Sequence, residues 1–320
     1  MIFGSEVNAC VCGCDALGSS STGFGGSIIT TSAYTMPQNS FSLGSGIRFN
    51  NFEDFDIKQV NSIRNNGIHA HNRDSQMFNY LAASYGLTEN LTMTAVYPYG
   101  YFYGLKSYDL GQIIDEGNSI GFGDLTLQAK YKFLDFEKIK FASSIIAGIK
   151  MPTGQINERD SFGDLIPADH QPGSGSWDPI MGMAFTKIFG EKISLDSSVL
   201  YKLSTKGNQD LIIGDQISFN MGLSYSLKNC NCNIDEKHTQ KFNLAAVLEL
   251  NGRWQERTEY NGLKDDAHGG TVIYLSPGLR ASYDNKWIAD LSVGLPVIES
   301  LNGIQPENDM QLVFNLARIF

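Results

Sequence analysis

The sequence predicts an all-β fold: a transmembrane, up-and-down antiparallel β-barrel of about twelve strands behind a short flexible N-terminal leader, the even count being what bacterial single-chain barrels require. Three observations predict it. Residues 121–133, GFGDLTLQAKYKF, alternate with a period of two, setting Leu125, Leu127, Ala129, Tyr131 and Phe133 against Asp124, Thr126, Gln128, Lys130 and Lys132, and the pattern recurs along the 320-residue chain. Successive side chains of a strand point to opposite faces, so such a chain needs an apolar and a polar environment throughout, which lipid outside and a wet lumen inside supply. Connections then alternate between short turns (88–89, 135–137, 190 and 284–285) and long polar stretches (53–75, 103–118, 152–176 and 256–270). Outer-membrane barrels have this asymmetry, with short periplasmic turns and long outer loops. Finally, Leu312, Phe314 and Leu316 alternate toward a terminal Phe320, the ending common to outer-membrane strands, although Arg318 stands where an apolar residue is expected.

Composition agrees. Apolar residues make up 42% of the chain but are dispersed, mean hydropathy is −0.17, and no run approaches the ~20 apolar residues of a membrane helix. A net charge of −10 argues against nucleic acid as a partner, because phosphate contacts need clustered Lys and Arg.

Taken in order, residues 1–9 lack a basic n-region and an apolar h-region, and Val7-Asn8-Ala9 before Cys10 reads as a weak cleavage site, so they are expected to be a signal-peptide remnant. Residues 10–40 read as a periplasmic leader or arm. Its first part, CVCGCDALGSSSTGF (10–24), is small, polar and flexible; Ser27–Tyr34 is strand-like, either an arm or the start of the first strand, closed by Met36-Pro37-Gln38-Asn39. Residues 41–320 form a single barrel with strands expected at 41–52, 76–87, 90–102, 119–133, 138–151, 177–188, 191–204, 213–227, 241–255, 271–283, 286–298 and 310–320. In 213–227, for example, Ile217, Phe219, Met221, Leu223 and Tyr225 oppose Gln216, Ser218, Asn220, Gly222 and Ser224. Segment 191–204 alternates as cleanly except at Ser197 and Leu200. One connection breaks the rule of sides: 228–240, KNCNCNIDEKHTQ, is long but periplasmic.

In SYGLTENLT (84–92), GFGDLTLQAKYKF (121–133), KMPTG (150–154), QPGSGSWDP (171–179), LELNGRW (248–254), YLSPGLR (274–280), SVGLPV (292–297) and LNGIQ (301–305), the chain resembles the bacterial outer-membrane, transporter-like family labelled "MetA-pathway of phenol degradation". The resemblance runs from about Ser27 to Phe320. It implies a barrel in the outer membrane of a Gram-negative bacterium, in contact with lipid and lipopolysaccharide, that passes small molecules.

Alternation places Asp124, Gln128, Lys130, Lys132, Lys140, Lys150, Asp196, Lys202, Glu249, Arg253, Arg280 and Asp290 toward the lumen. Both signs occur, so two readings stand: a transverse field that orients polar solutes, or charges that pair across a narrow lumen and fill it. His69, His71, His170 and His268 fall on outer loops near Asp74, Asp169, Asp265 and Asp266, a donor set suited to a borderline metal, although solvated loop histidines are the commoner case. Cys10, Cys12, Cys14, Cys230 and Cys232 map to the periplasmic side with His238; two C-x-C units suit a soft ion such as Cu(I), against disulfides tying the leader to 228–240, or a lipid anchor on Cys10. No cofactor is otherwise indicated. No histidine falls within a clean strand, Ser174 and Ser176 near His170 read as a turn into Trp177, and no phosphate loop, haem site or dinucleotide fingerprint is present, so an enzyme is not expected. The expected function is a passive outer-membrane channel for small molecules, aromatic or amphipathic ones among them. The alternatives are a copper- or zinc-linked barrel, or a structural or adhesive barrel whose outer loops bind a partner.

Overall fold

The computed structural model describes residues 27–55, 59–60, 62, 70–109, 112–190, 192–227, 242–265, 268–284 and 286–320. Twelve strands close a barrel: β1 Phe41–Phe52, β2 Ser75–Thr88, β3 Leu91–Asp109, β4 in two pieces (Gln112–Phe122 and Thr126–Phe136), β5 Phe141–Lys150, β6 Asp178–Phe189, β7 Ile193–Lys202, β8 Gln216–Ser226, β9 Phe242–Gln255, β10 Gly270–Tyr283, β11 Trp287–Leu301 and β12 Asn308–Ile319. Each pairs antiparallel with its neighbours in sequence, and β1 meets β12 from Ser42↔Ile319 to Asn51↔Met310. The ring leaves no free edge, which is what a strand bundle in hydrocarbon requires, since an unpaired backbone group there costs several kcal/mol.

Alternation then sorts the two faces. Leu81, Met181, Met221, Leu250, Leu295 and Phe314 stand exposed on the outside while Ser84, Ser144, Asp196, Ser224, Glu249 and Arg280 are buried inside. A soluble monomer rarely exposes so continuous an apolar band. Aromatic rings frame it. At the short-turn end Phe41 lies 6.1 Å from Phe320 and Phe136 lies 6.4 Å from Phe141. Arg318 explains its own exception there: its guanidinium sits 4.6 Å from the Phe320 ring centre and 5.1 Å from that of Trp287, a cation–π contact worth ~0.5–1 kcal/mol at an exposed site.

Three departures from the sequence reading have physical causes. Residues 103–109 and 112–118 of the expected loop are instead strand, because β3 and the first piece of β4 run on, paired through Lys106↔Asp115 and Asp109↔Gln112. The outward row Tyr97, Tyr99, Tyr101 and Tyr103 carries the alternation past the expected end, with Tyr97 stacked 5.2 Å from Phe122 and Tyr101 stacked 5.9 Å from Tyr103. Second, β4 breaks at 123–125, opposite Pro98, which offers a carbonyl to Gly123 N–H (2.9 Å) but has no N–H to return. Leu125 N–H turns instead to Thr153 Oγ1 at 2.8 Å, and Asp124 leaves the line of the strand.

The third departure is the largest. Ser27–Met36 is neither an arm outside the barrel nor the start of β1; it lies inside the lumen, with Ile28, Ala33 and Met36 at 1%, 0% and 1% exposure. Leu200, the apolar residue on the polar parity of 191–204, turns inward and packs, as Tyr34 does, against the cluster of Ala33, Ala142, Ile146 and Ala184. An apolar inward side chain is thus the wall's contact with the arm.

Candidate functional site

The lumen has two levels. In the half nearer the short turns the arm is held by the wall. An extended chain without a ladder partner leaves its N–H and C=O groups to be satisfied by something else, and here inward side chains do it. Glu249, fully buried on β9, accepts Ile29 N–H at 3.0 Å and Thr30 N–H at 2.8 Å. Asp196 on β7 accepts the hydroxyls of Thr186 (2.6 Å) and Ser27 (3.1 Å), and Thr186 Oγ1 in turn accepts Ala33 N–H at 2.9 Å. Thr31 N–H donates to Ser198 Oγ at 3.2 Å and Met36 N–H to Thr92 Oγ1 at 2.8 Å. Lys130 Nζ donates to the Ser32 carbonyl at 3.0 Å and Ser144 Oγ to that of Ala33. Shape matches chemistry: Ile28 packs with Val247 and Val313, and a Cβ on Gly222 would fall 2.1 Å from Ser27 Oγ, so only glycine lets β8 approach the arm. Beside this level Arg280 and Asp290, directly paired across β10 and β11, form a bidentate contact of 2.7 and 2.9 Å.

Above it lies a cavity of about 450 Å³. One side is aromatic: Phe52, Phe78 and Phe102 come from the adjacent strands β1, β2 and β3, the last two edge-to-face at 5.6 Å. The other side is cationic, with Lys150 on β5, Lys202 on β7 and Arg253 on β9. Lys150 is neutralised by Asp178 at 2.6 Å and Asp124 at 3.4 Å, and its Nζ donates to Ser174 Oγ at 2.5 Å and Ser176 Oγ at 3.3 Å. Asp124 also accepts Gly154 N–H (2.9 Å) and Ser174 N–H (2.8 Å), so it pins both ends of the 151–177 loop. Lys202 and Arg253 make no salt bridge among the described residues, and Arg253 is exposed to the water of the lumen.

Two loops fold over the mouth. Asp169, in the turn Ala168–His170, meets His268 Nε2 at 3.3 Å and His170 Nε2 at 3.8 Å, while His268 Nδ1 meets Asp265 at 2.9 Å. Burial alone would lower the His268 pKa, but the two carboxylates outweigh it and raise it above the usual imidazole value. Arg73 lies over the rings of Phe52 (4.9 Å) and Phe102 (5.8 Å).

The twelve residues expected to face inward are thus dispersed. Asp196, Glu249, Lys130, Arg280 and Asp290 belong to the inner level; Asp124, Lys150, Lys202 and Arg253 to the cavity. Gln128 is half-buried on β4, and Lys132 bridges to Asp135 at 2.6 Å with its Nζ 5.8 Å from the Tyr34 ring. Lys140 differs: it occupies a left-handed turn position (φ 48°) before β5, exposed, donating to the Gly190 carbonyl at 3.0 Å, because the strand begins one residue later. Of the metal candidates, Cys10, Cys12, Cys14, Cys230, Cys232, His69 and His238 lie outside the described residues, and His71 is in the short strand Ala70–Asn72. Among the described residues no group of three or more His, Cys, Asp or Glu side chains is placed to hold a metal ion. Sequence reasoning missed Arg73 and the three phenylalanines. Parity signals Phe52, which shares the inward set of β1 with Ser42, Gly46 and Asn50; nothing periodic signals Arg73, which sits in a loop.

Residues 59–299 match the model of a family described as "Putative MetA-pathway of phenol degradation". Among solved structures, the COG4313 outer membrane channel from Pseudomonas putida F1 is 17% identical with a TM-score of 0.59, covering 90% of this chain and 98% of that one. The translocator domain of the autotransporter NalP from Neisseria meningitidis (12%, TM-score 0.44, covering 89% and 90%) and the CymD monoaromatic hydrocarbon channel (10%, TM-score 0.38, covering 89% and 88%) align less closely. No curated protein sequence matches.

Proposed function

The chain belongs to the MetA-pathway of phenol degradation family, its match spanning residues 59–299 of 320, and from that premise we propose an outer-membrane channel of a Gram-negative bacterium for the passive passage of small molecules, aromatic or amphipathic ones among them. The observation that carries this reading is the cavity of about 450 Å³ inside a closed barrel with an apolar exterior, within the ~300–1,000 Å³ of small-molecule sites. The arm below it is attached mostly by hydrogen bonds to side chains rather than by a strand ladder, so it can leave without unravelling the wall. Purified protein reconstituted in planar bilayers should give discrete conductance steps.

A second reading draws on the same arm. A lumen filled by its own chain also suits a structural or adhesive barrel whose outer loops meet a partner. A barrel silent at all voltages and pH values, while correctly folded and inserted, would favour that reading over the channel.

A further inference from the structure

The two sides of the outer cavity call for different chemistry. Lys150 is satisfied within the protein, but Lys202 and Arg253 form no salt bridge among the described residues, and the buried Nε of Arg73, which also lines the cavity, has no hydrogen-bond partner among them. Cations without a salt-bridge partner inside a narrow, lipid-jacketed lumen raise the local concentration of anions and repel cations. A guanidinium also presents paired N–H donors that match the two oxygens of a carboxylate. Opposite stand the half-buried Phe52 and Phe78, the latter edge-to-face with the already buried Phe102; the two half-buried rings gain by covering an apolar surface. A neutral ring compound would leave the cations unanswered, and an inorganic anion would leave Phe52 and Phe78 wet. One ligand class answers both walls.

We infer that the cavity selects small organic anions with an apolar body, the carboxylate set against Lys202 and Arg253 and the ring or chain against Phe52 and Phe78. This rests on the channel reading and names its solute class. The acidic groups at the mouth do not oppose it, because Asp124 is bound by Lys150 and Asp169 by His268.

The test uses the full chain in planar bilayers with benzoate, benzyl alcohol and benzylamine as probes of one size and three charges. In a salt gradient the open channel should be anion-selective. Benzoate should modulate the current at a concentration about ten-fold or more below that needed for the other two. Lys202→Gln/Arg253→Gln should abolish both effects, whereas Lys286→Gln, on an exposed turn at the opposite end, should leave them intact. A conducting channel that favours cations, or treats benzoate and benzyl alcohol alike, overturns the inference while leaving the channel reading in place. A silent barrel counts against the channel itself; calorimetric titration of the detergent-solubilised protein then decides, and failure to bind benzoate more tightly than benzyl alcohol overturns the anion site.

Discussion

The two levels of the lumen are both lined with charge and finish it in opposite ways. In the inner level Glu249 and Asp196 are answered by N–H and hydroxyl groups of Ser27–Met36, and Arg280 is answered by Asp290. In the outer level Lys202 and Arg253 form no salt bridge among the described residues. A polar group satisfied from within closes space around itself, because removing water then costs little. One left unsatisfied needs water or a solute, so it keeps its space open. The difference between a sealed level and a receptive one is therefore written in the hydrogen-bond accounting of a few inward residues rather than in barrel diameter.

The comparison can be broken most forcefully at Arg280–Asp290. Asp290→Ala leaves a buried guanidinium alone and should cost ~3–5 kcal/mol of stability, read as a lower urea midpoint in micelles, whereas Arg280→Met/Asp290→Leu should cost much less. Equal losses for both would mean that the pair does not hold the inner level. Next is the arm. Glu249→Ala removes the acceptor of Ile29 and Thr30 N–H, charge-assisted bonds worth ~1.5–3 kcal/mol each, and should raise both the open fraction and the conductance of single channels. Unchanged currents would show that the arm does not gate.

The smallest effect is expected at the mouth, where His268 ties the 256–269 loop to Asp169. Because its pKa is raised in the folded protein, the tie is fully present below the ordinary imidazole value of ~6.5 and fades as pH rises through the folded value. Current noise recorded between about pH 5 and about pH 9 should increase toward the alkaline side, and Asp169→Asn should shift that increase to lower pH. A pH-independent trace would remove His268 from the account.

How far the sequence anticipates all this depends on whether a side chain's setting is local. The wall is legible because period-two alternation is a property of each strand by itself: strands expected at 213–227 and 241–255 appear as Gln216–Ser226 and Phe242–Gln255. Non-local partners blur it. Pro98 breaks β4 from the neighbouring strand, and Leu200 violates parity because of an arm more than 160 residues away in sequence, the separation seen in Thr31 and Ser198. The site is less legible for the same reason. Alternation says that Glu249, Lys202 and Arg253 point inward, but which of them the chain itself satisfies depends on where Ser27–Met36 lies, and nothing periodic in SIITTSAYTM reveals that.

One measurement tests the contrast directly. In a chain whose five cysteines are replaced by serine, single cysteines are placed on the wall at Ser198, which accepts Thr31 N–H, and at Gln216, which lines the cavity. Both are exposed to a membrane-impermeant thiol reagent. Gln216→Cys should react promptly and Ser198→Cys should be protected until Glu249→Ala is added. Equal rates at both positions in the parent barrel would contradict a sealed inner level beneath an open outer one.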